Sequence, residues 1–275
     1  MPRLRTIVGL PIAAGVSSAL VAHPARASLI WTGNPADGTS VFKLLNLEDS
    51  SGNSQPNPSP NGSSITTSTD PTYGPDFQFY KAANDKRAEA HGAAGFNAAI
   101  GNTYYIGWRF KVNSTVEDNA VFQWKAYGTP MTQDFPIVLS FNQNDQLQLE
   151  YYAPGIVQNV LWTHAESANI WNTVVIAINV ESDTTGTINF WFGGVEQNLA
   201  GGGTTYTGAR TFDGTSVDPK WGIYGAVGTQ VTDDVTDLAI GTTYADVAPT
   251  PVPEPASVGA ILGAAALLAR RRRVG

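Results

Sequence analysis

Four short segments place protonatable, cationic and amide side chains at alternate positions: Arg87, Glu89 and His91; Gln123, Lys125 and Tyr127; Gln146, Gln148, Glu150 and Tyr152; Lys220, Gly222 and Tyr224. Arg, Gln, His and Tyr are the parts needed for β-elimination at a uronic acid. The C5 proton leaves only if cations or hydrogen-bond donors neutralise the neighbouring carboxylate. A base then takes that proton and an acid protonates the departing O4. A tyrosine, with a usual pKa near 10, serves as base only where positive charge favours its ionised form, and Arg87, Lys125 and Lys220 are the candidates to supply it.

Other chemistries find fewer parts. A glycoside hydrolase needs two carboxyl groups flanking the bond, and sandwich glucanases carry them close together on one strand. No segment here has such a pair. Glu89 and Glu150 are single acids, each better read as a structural partner for Arg87 or a groove wall than as half of a catalytic pair. No Gly-x-Ser-x-Gly elbow appears. There is no Cys, which excludes thiol chemistry and leaves the fold to be held by its core, or by core and metal, without disulfides.

Alternation also says what must position these residues, because side chains at i, i+2 and i+4 share one face of a strand. The expected strands are Ser40 to Leu47, Lys86 to Gly92, Val121 to Tyr127, Gln146 to Tyr152, Ile188 to Phe192 and Lys220 to Tyr224. In each of the last five, large or small apolar residues oppose a polar or aromatic set, Asn189 and Trp191 among them. Short alternating segments bounded by Gly, Asn and Asp, with almost no helical period, predict an all-β antiparallel sandwich. The stretch Ser50 to Thr69, rich in Ser, Asn, Pro and Gly, reads as a long surface loop. A solvated sheet face ordinarily favours Thr, Ser, Lys and Glu. Rings and planar hydrogen-bonding groups recur here instead, as suits a sugar groove. Within it, Lys125, Lys220, Tyr152, Trp191 and Glu89 are expected to bind substrate. His164 is read as incidental, on a loop after Trp162.

The two ends read as addresses. Arg3 and Arg5, the apolar run Ile7 to Val21 and the site Ala25-Arg26-Ala27 form a signal peptide over residues 1–27. Residues 28–248 form one domain, about 220 residues long. Residues 249–275 hold Pro253-Glu254-Pro255, an uncharged run from Val258 to Ala269 and Arg270 to Arg273. That run is shorter than the roughly 20 residues of a spanning helix, so membrane contact is expected to be transient. The tail resembles the PEP-CTERM sorting signal of Gram-negative bacteria that build exopolysaccharide. This resemblance implies recognition by an exosortase and a secreted or cell-surface, matrix location. Without its two ends the chain keeps 9 basic residues against 22 acidic ones, which argues against nucleic acid.

The segments Trp31-Thr32-Gly33-Asn34-Pro35, Arg87-Ala88-Glu89-Ala90-His91, Phe122-Gln123-Trp124-Lys125 and Lys220-Trp221-Gly222-Ile223-Tyr224 resemble the heparinase I and glucuronan lyase type of polysaccharide lyase, and more distantly the alginate lyases. The resemblance spans nearly the whole exported domain. It implies a concanavalin A-like β-jelly roll of two antiparallel sheets with a concave groove, acting as a monomer on an anionic polysaccharide. Tyr224, Gln123 and Arg87 match residues of the alginate lyase motifs. His91 stands where those enzymes have a second Arg, and Lys125 where they have a His, which favours the glucuronan-like branch. The implied roles are Tyr224 as base and then acid, His91 as assisting base or carboxylate neutraliser, and Gln123 and Arg87 as carboxylate holders. Members also often hold a structural Ca²⁺. The alternatives are a lectin-like module without catalysis and a matrix protein without a ligand.

Overall fold

The computed structural model describes residues 28–250; the export reading on 1–27 and the sorting motif from 251 onward lie outside the described residues. Nearly every element is a strand, as the alternation predicts, and the strands form the two antiparallel sheets of a jelly-roll sandwich.

The groove sheet runs β11 (Val157–Ala165), β10 (Gln146–Ala153), β9 (Ile137–Phe141), β8 (Asn119–Tyr127), β16 (Ser216–Gly225), β6 (Asp85–Ala93), β2 (Phe42–Asp49) and β3 (Ser54–Gln55). The back sheet runs β14 (Val195–Glu196), β13 (Gly186–Phe192), β12 (Asn172–Asn179), β7 (Thr103–Val112), β17 (Val231–Gly241), β5 (Gly74–Lys81) and β4 (Ser64–Asp70), with β1 (Leu29–Gly33) on β17 and β15 (Thr205–Ala209) on β13. A single-turn helix, α1 (Tyr244–Val247), follows β17.

The core lies between the sheets. Phe77, Phe79, Trp108, Phe110, Phe122, Trp124, Phe190 and Trp221 are all fully buried there. Trp108 stacks on Phe122 with ring centres 4.7 Å apart, and Trp31 stacks on Trp221 at 5.6 Å. Rings of this size supply the apolar area that a chain without cysteine must bury, and truncating one to Ala costs about 3–5 kcal/mol.

Part of the expected loop from Ser50 to Thr69 is strand. Ser54–Gln55 pairs with β2, and Ser64–Asp70 pairs along its whole length with β5. In β4 only Ile65 is buried and apolar, so the apolar alternation has one tooth. Its Ser and Thr residues nevertheless suit an edge strand with one wet face. The turn before it is tied down by Asp85, whose carboxylate accepts hydrogen bonds from Ser59 Oγ (2.6 Å), Asn61 Nδ2 (2.6 Å) and Ser63 Oγ (2.5 Å).

Candidate active site

Three adjacent central strands carry the site. β16 pairs with β6 on one side and β8 on the other, which puts Lys220 opposite both His91 and Gln123, Gly222 opposite Glu89, and Tyr224 opposite Arg87. Ala88, Ala90, Phe122, Trp124, Trp221 and Ile223 point into the core, so the alternate residues face outward together.

One glycine makes the motif on β16 possible. Gly222 has φ +110°, and a Cβ there would stand 2.5 Å from both Ala88 O and Phe79 Cδ1. It sits in a bulge between Trp221 and Tyr224, so that Tyr224 falls opposite Ala120 on β8. Such a bulge re-aims a side chain without breaking the sheet.

At the centre is Glu89, 1 % exposed. It accepts hydrogen bonds from Lys220 Nζ at 2.6 Å, Gln123 Nε2 at 2.7 Å and an Arg87 guanidinium nitrogen at 3.1 Å. Asn46 Oδ1 accepts from the same Arg87 nitrogen at 3.1 Å and from Lys220 at 3.0 Å, and Glu48 pairs with Arg87 Nε at 2.9 Å. Burial, which disfavours the ammonium, is the largest influence on Lys220 and lowers its pKa against the opposing pull of Glu89. The Arg87 guanidinium lies 4.5 Å from the centre of the Tyr224 ring, and Lys86 Nζ lies 5.6 Å from it. Of the cations the sequence offers Tyr224, Arg87 is therefore in place, while Lys125 and Lys220 are committed elsewhere.

His91 stands apart. It lies four residues along β6 from Arg87, on the order of 13 Å at the rise of a strand. Its ring stacks on Tyr127 at 4.4 Å, and its Nε2 lies 3.3 Å from Asp218, which also pairs with Lys43 at 2.7 Å. Lys125 pairs with Asp134 and lies over the rings of Tyr127 (5.5 Å) and Phe135 (5.9 Å). The Tyr127 hydroxyl is buried without a partner, and burial, with the charges of Glu89 and Asp218, pushes its pKa up.

On the other side, Gln123 and Tyr224 line a cleft of about 930 Å³ whose far wall carries Gln148, Glu150, Tyr152 and Gln158. Tyr152 thus sits across the cleft from Tyr224. Of the two single acids, Glu150 lines the cleft and Glu89 pairs with Arg87.

The structure brings Arg87, Glu89, Gln123, Lys220 and Tyr224 together and leaves three predicted residues, His91, Lys125 and Trp191, out. His91 and Lys125 belong to a neighbouring cluster around Tyr127. Trp191 is on β13 of the back sheet, against Tyr105 (6.0 Å) and Tyr244 (5.0 Å). Alternation assigns Trp191 to a face but does not say of which sheet. His164 is on β11 rather than a loop, parallel to the Trp162 ring at 5.7 Å. Asn46, Glu48 and Asp218 are site residues that the sequence reading misses. Asp218 could have been found, since it precedes Lys220 by two and shares its face. Among the described residues no group of three or more His, Cys, Asp or Glu side chains could hold a metal ion, so a Ca²⁺ such as the resemblance implies would draw on backbone and amide carbonyls as well.

The fold and cleft define a jelly-roll protein with an elongated polar site across one sheet. Residues 32–239 match the polysaccharide lyase family, and the chain belongs to that family: it is a polysaccharide lyase. Among solved structures it is similar to the endo-beta-1,4-glucuronan lyase of the fungus Trichoderma reesei, with 19% identity and a TM-score of 0.53, over 76% of this chain and 98% of that one. It is also similar to alginate lyase A1-II', a member of polysaccharide lyase family-7, with 14% identity and a TM-score of 0.46, over 74% of this chain and 96% of that one. No curated protein matches the chain.

Proposed function

We propose that this lyase cleaves a polysaccharide containing β-1,4-linked glucuronate, with Tyr224 as base and then acid. The observation that carries the reading is that Tyr224 and Gln123 line one cleft while Arg87 lies against the Tyr224 ring. Two electropositive groups and a proton carrier then meet the same sugar. The likeness to a glucuronan lyase supports the choice of sugar.

Arg87 has five N–H donors; one terminal nitrogen donates to Glu89 and Asn46, while Nε forms an ion pair with Glu48 at 2.9 Å without a hydrogen bond. Its other terminal nitrogen and the second N–H of Gln123 are the groups to hold the substrate carboxylate. Neutralising that carboxylate stabilises the charge that develops when the proton leaves C5. The C5–H electron pair forms the C4–C5 double bond, the C4–O4 bond breaks, and O4 takes a proton. In a β-1,4-linked glucuronate the C5 proton and O4 leave from the same side, so one phenol can accept the first proton and return it to O4. Lys220 and Glu89 hold Gln123 and Arg87 at the right height. His91, too distant to share this proton, is assigned to a neighbouring carboxylate with Lys43 and Lys125.

We also propose export through residues 1–27 and sorting through the tail, on the motifs described, which places the enzyme at the cell surface or in the matrix as a monomer. The test of function is ultraviolet absorbance on incubation with a panel of polyuronides. Absorbance rising on a glucuronate polymer and lost in Tyr224→Phe is expected. A flat trace with retained polysaccharide binding would replace the lyase reading by a lectin-like one.

A further inference from the structure

The far wall of the cleft and the cluster behind its Gln123 and Tyr224 wall differ in charge. At Glu89 two cations meet one buried carboxylate. At Glu150, 2 % exposed, every partner is neutral: Ser140 Oγ donates at 2.8 Å, Gln148 Nε2 at 2.8 Å, Tyr152 OH at 3.3 Å, and Gln158 Nε2 also donates. Among the described residues no ion pair involves Glu150. Glu117 and Asp118, exposed at the rim of the same cleft, are in none either among the described residues, where the ion pairs all lie elsewhere.

We propose that this arm of the cleft, formed by β9, β10 and β11, takes an uncharged sugar. The polymer cut is then one in which uronate alternates with neutral residues, rather than one with a carboxylate on every ring. The inference rests on the lyase reading for the uronate beside Tyr224.

The physical reason is electrostatic. A carboxylate brought into the arm would lose water and meet the charge of Glu150 with no cation on β9, β10 or β11 to offset it, since Lys86, the cation that lines the cleft, stands by Tyr224 at 5.6 Å from its ring centre. A neutral sugar meets no such cost. It finds the amides of Gln148, Gln158 and Asn142 for its hydroxyls, with Phe135 packed edge-on against Tyr152 as an apolar floor. Tyr152 stays a neutral donor, because burial and the adjacent Glu150 push its pKa up. The same division fits the excess of acidic over basic residues, 22 against 9 without the two ends, on a protein that handles a polyanion: cationic recognition is confined to the Arg87 side and its neighbour at His91.

The experiment is calorimetric titration of the Tyr224→Phe protein with two tetrasaccharides, one of glucuronate alone and one alternating glucuronate with glucose. The alternating tetramer is expected to bind at least tenfold tighter. Gln158→Lys, at an exposed position, adds a cation beside Glu150 and is expected to shrink that ratio at least threefold, as is Glu150→Gln. Equal or tighter binding of the homopolymer, a ratio unmoved by both variants, or binding of neither sugar would overturn the proposal. Cleavage by the unmodified protein is scored separately. A preserved binding preference without cleavage would remove the lyase reading and leave the neutral arm standing.

Discussion

Glu89 and Lys220 meet at 2.6 Å with side chains only 2 % and 1 % exposed, on neighbouring strands at the middle of the groove sheet. A pair sealed in this way contributes little net stability compared with an apolar pair of the same size, yet is costly to break, because the survivor is left charged and buried. Lys220→Met is therefore expected to destabilise the protein by roughly 3–5 kcal/mol. Combining it with Glu89→Gln should restore much of that loss without restoring activity, since Gln123 and Arg87 lose the carboxylate that orients them. Urea unfolding midpoints of the single and double variants, beside their turnover, check both statements.

Gly222 should tolerate no side chain. Its φ of +110° strains any other residue, and a Cβ would stand 2.5 Å from the Ala88 carbonyl oxygen. Gly222→Ala is expected to cost about 1–3 kcal/mol and to lower kcat more than thermal stability alone would explain, because the bulge that aims Tyr224 must shift. Comparing the melting temperature with kcat at 20 degrees below it separates the two effects.

Asp70 makes acid stability titratable. Burial would raise its pKa, but hydrogen bonds from Lys111, Thr72, Tyr73 and Trp171 outweigh that and hold it at about 2 against 3.8 unfolded. A depressed carboxylate contributes stability that is complete above about 3.8 and is lost as pH falls toward about 2. The contribution is about 2 kcal/mol. Asp70→Asn should flatten stability against pH in that window, as read by urea midpoints from pH 2 to 5.

Asp233 acts in the opposite sense. It is fully buried on β17 with neither carboxylate oxygen partnered, and burial together with Asp234 raises its pKa well above 3.8. The folded chain holds this proton where the unfolded chain releases it, so stability falls as pH rises above 3.8. Asp233→Asn should raise the melting temperature at pH 8 and leave it nearly unchanged at pH 4. A rise of the same size at both would show that ionisation is not the cost.

Gln123→Ala should reduce kcat/KM by roughly 10²–10³, the usual loss when one donor to a developing anion is removed, with most of the change in kcat. A change confined to KM would assign Gln123 to binding alone.

How far the sequence foretold this follows from what alternation can and cannot encode. The groove faces of β6, β8, β10 and β16 were legible because large core residues such as Trp124 and Trp221 alternate with polar ones, and only one register buries them. β4 was not, since its hydroxyl-rich sequence shows one buried tooth. Trp191 was assigned to the groove because periodicity gives a face and carries no information about which sheet a strand joins. The grouping of Arg87 and Gln123 around Glu89 depends on which strands become neighbours, and only the placement of β16 between β6 and β8 decides it. His91 fell outside for the same reason: four residues along one strand keep a face but not a contact.

The most direct test of the account is the ultraviolet absorbance of the new C4–C5 double bond, followed while the protein and its Tyr224→Phe variant act on a polymer containing β-1,4-linked glucuronate. The account predicts a steady rise for the protein and, for the variant, a rate lower by at least 10² with binding intact. An unchanged rate in the variant would contradict it, because Tyr224 could then be neither the base nor the acid.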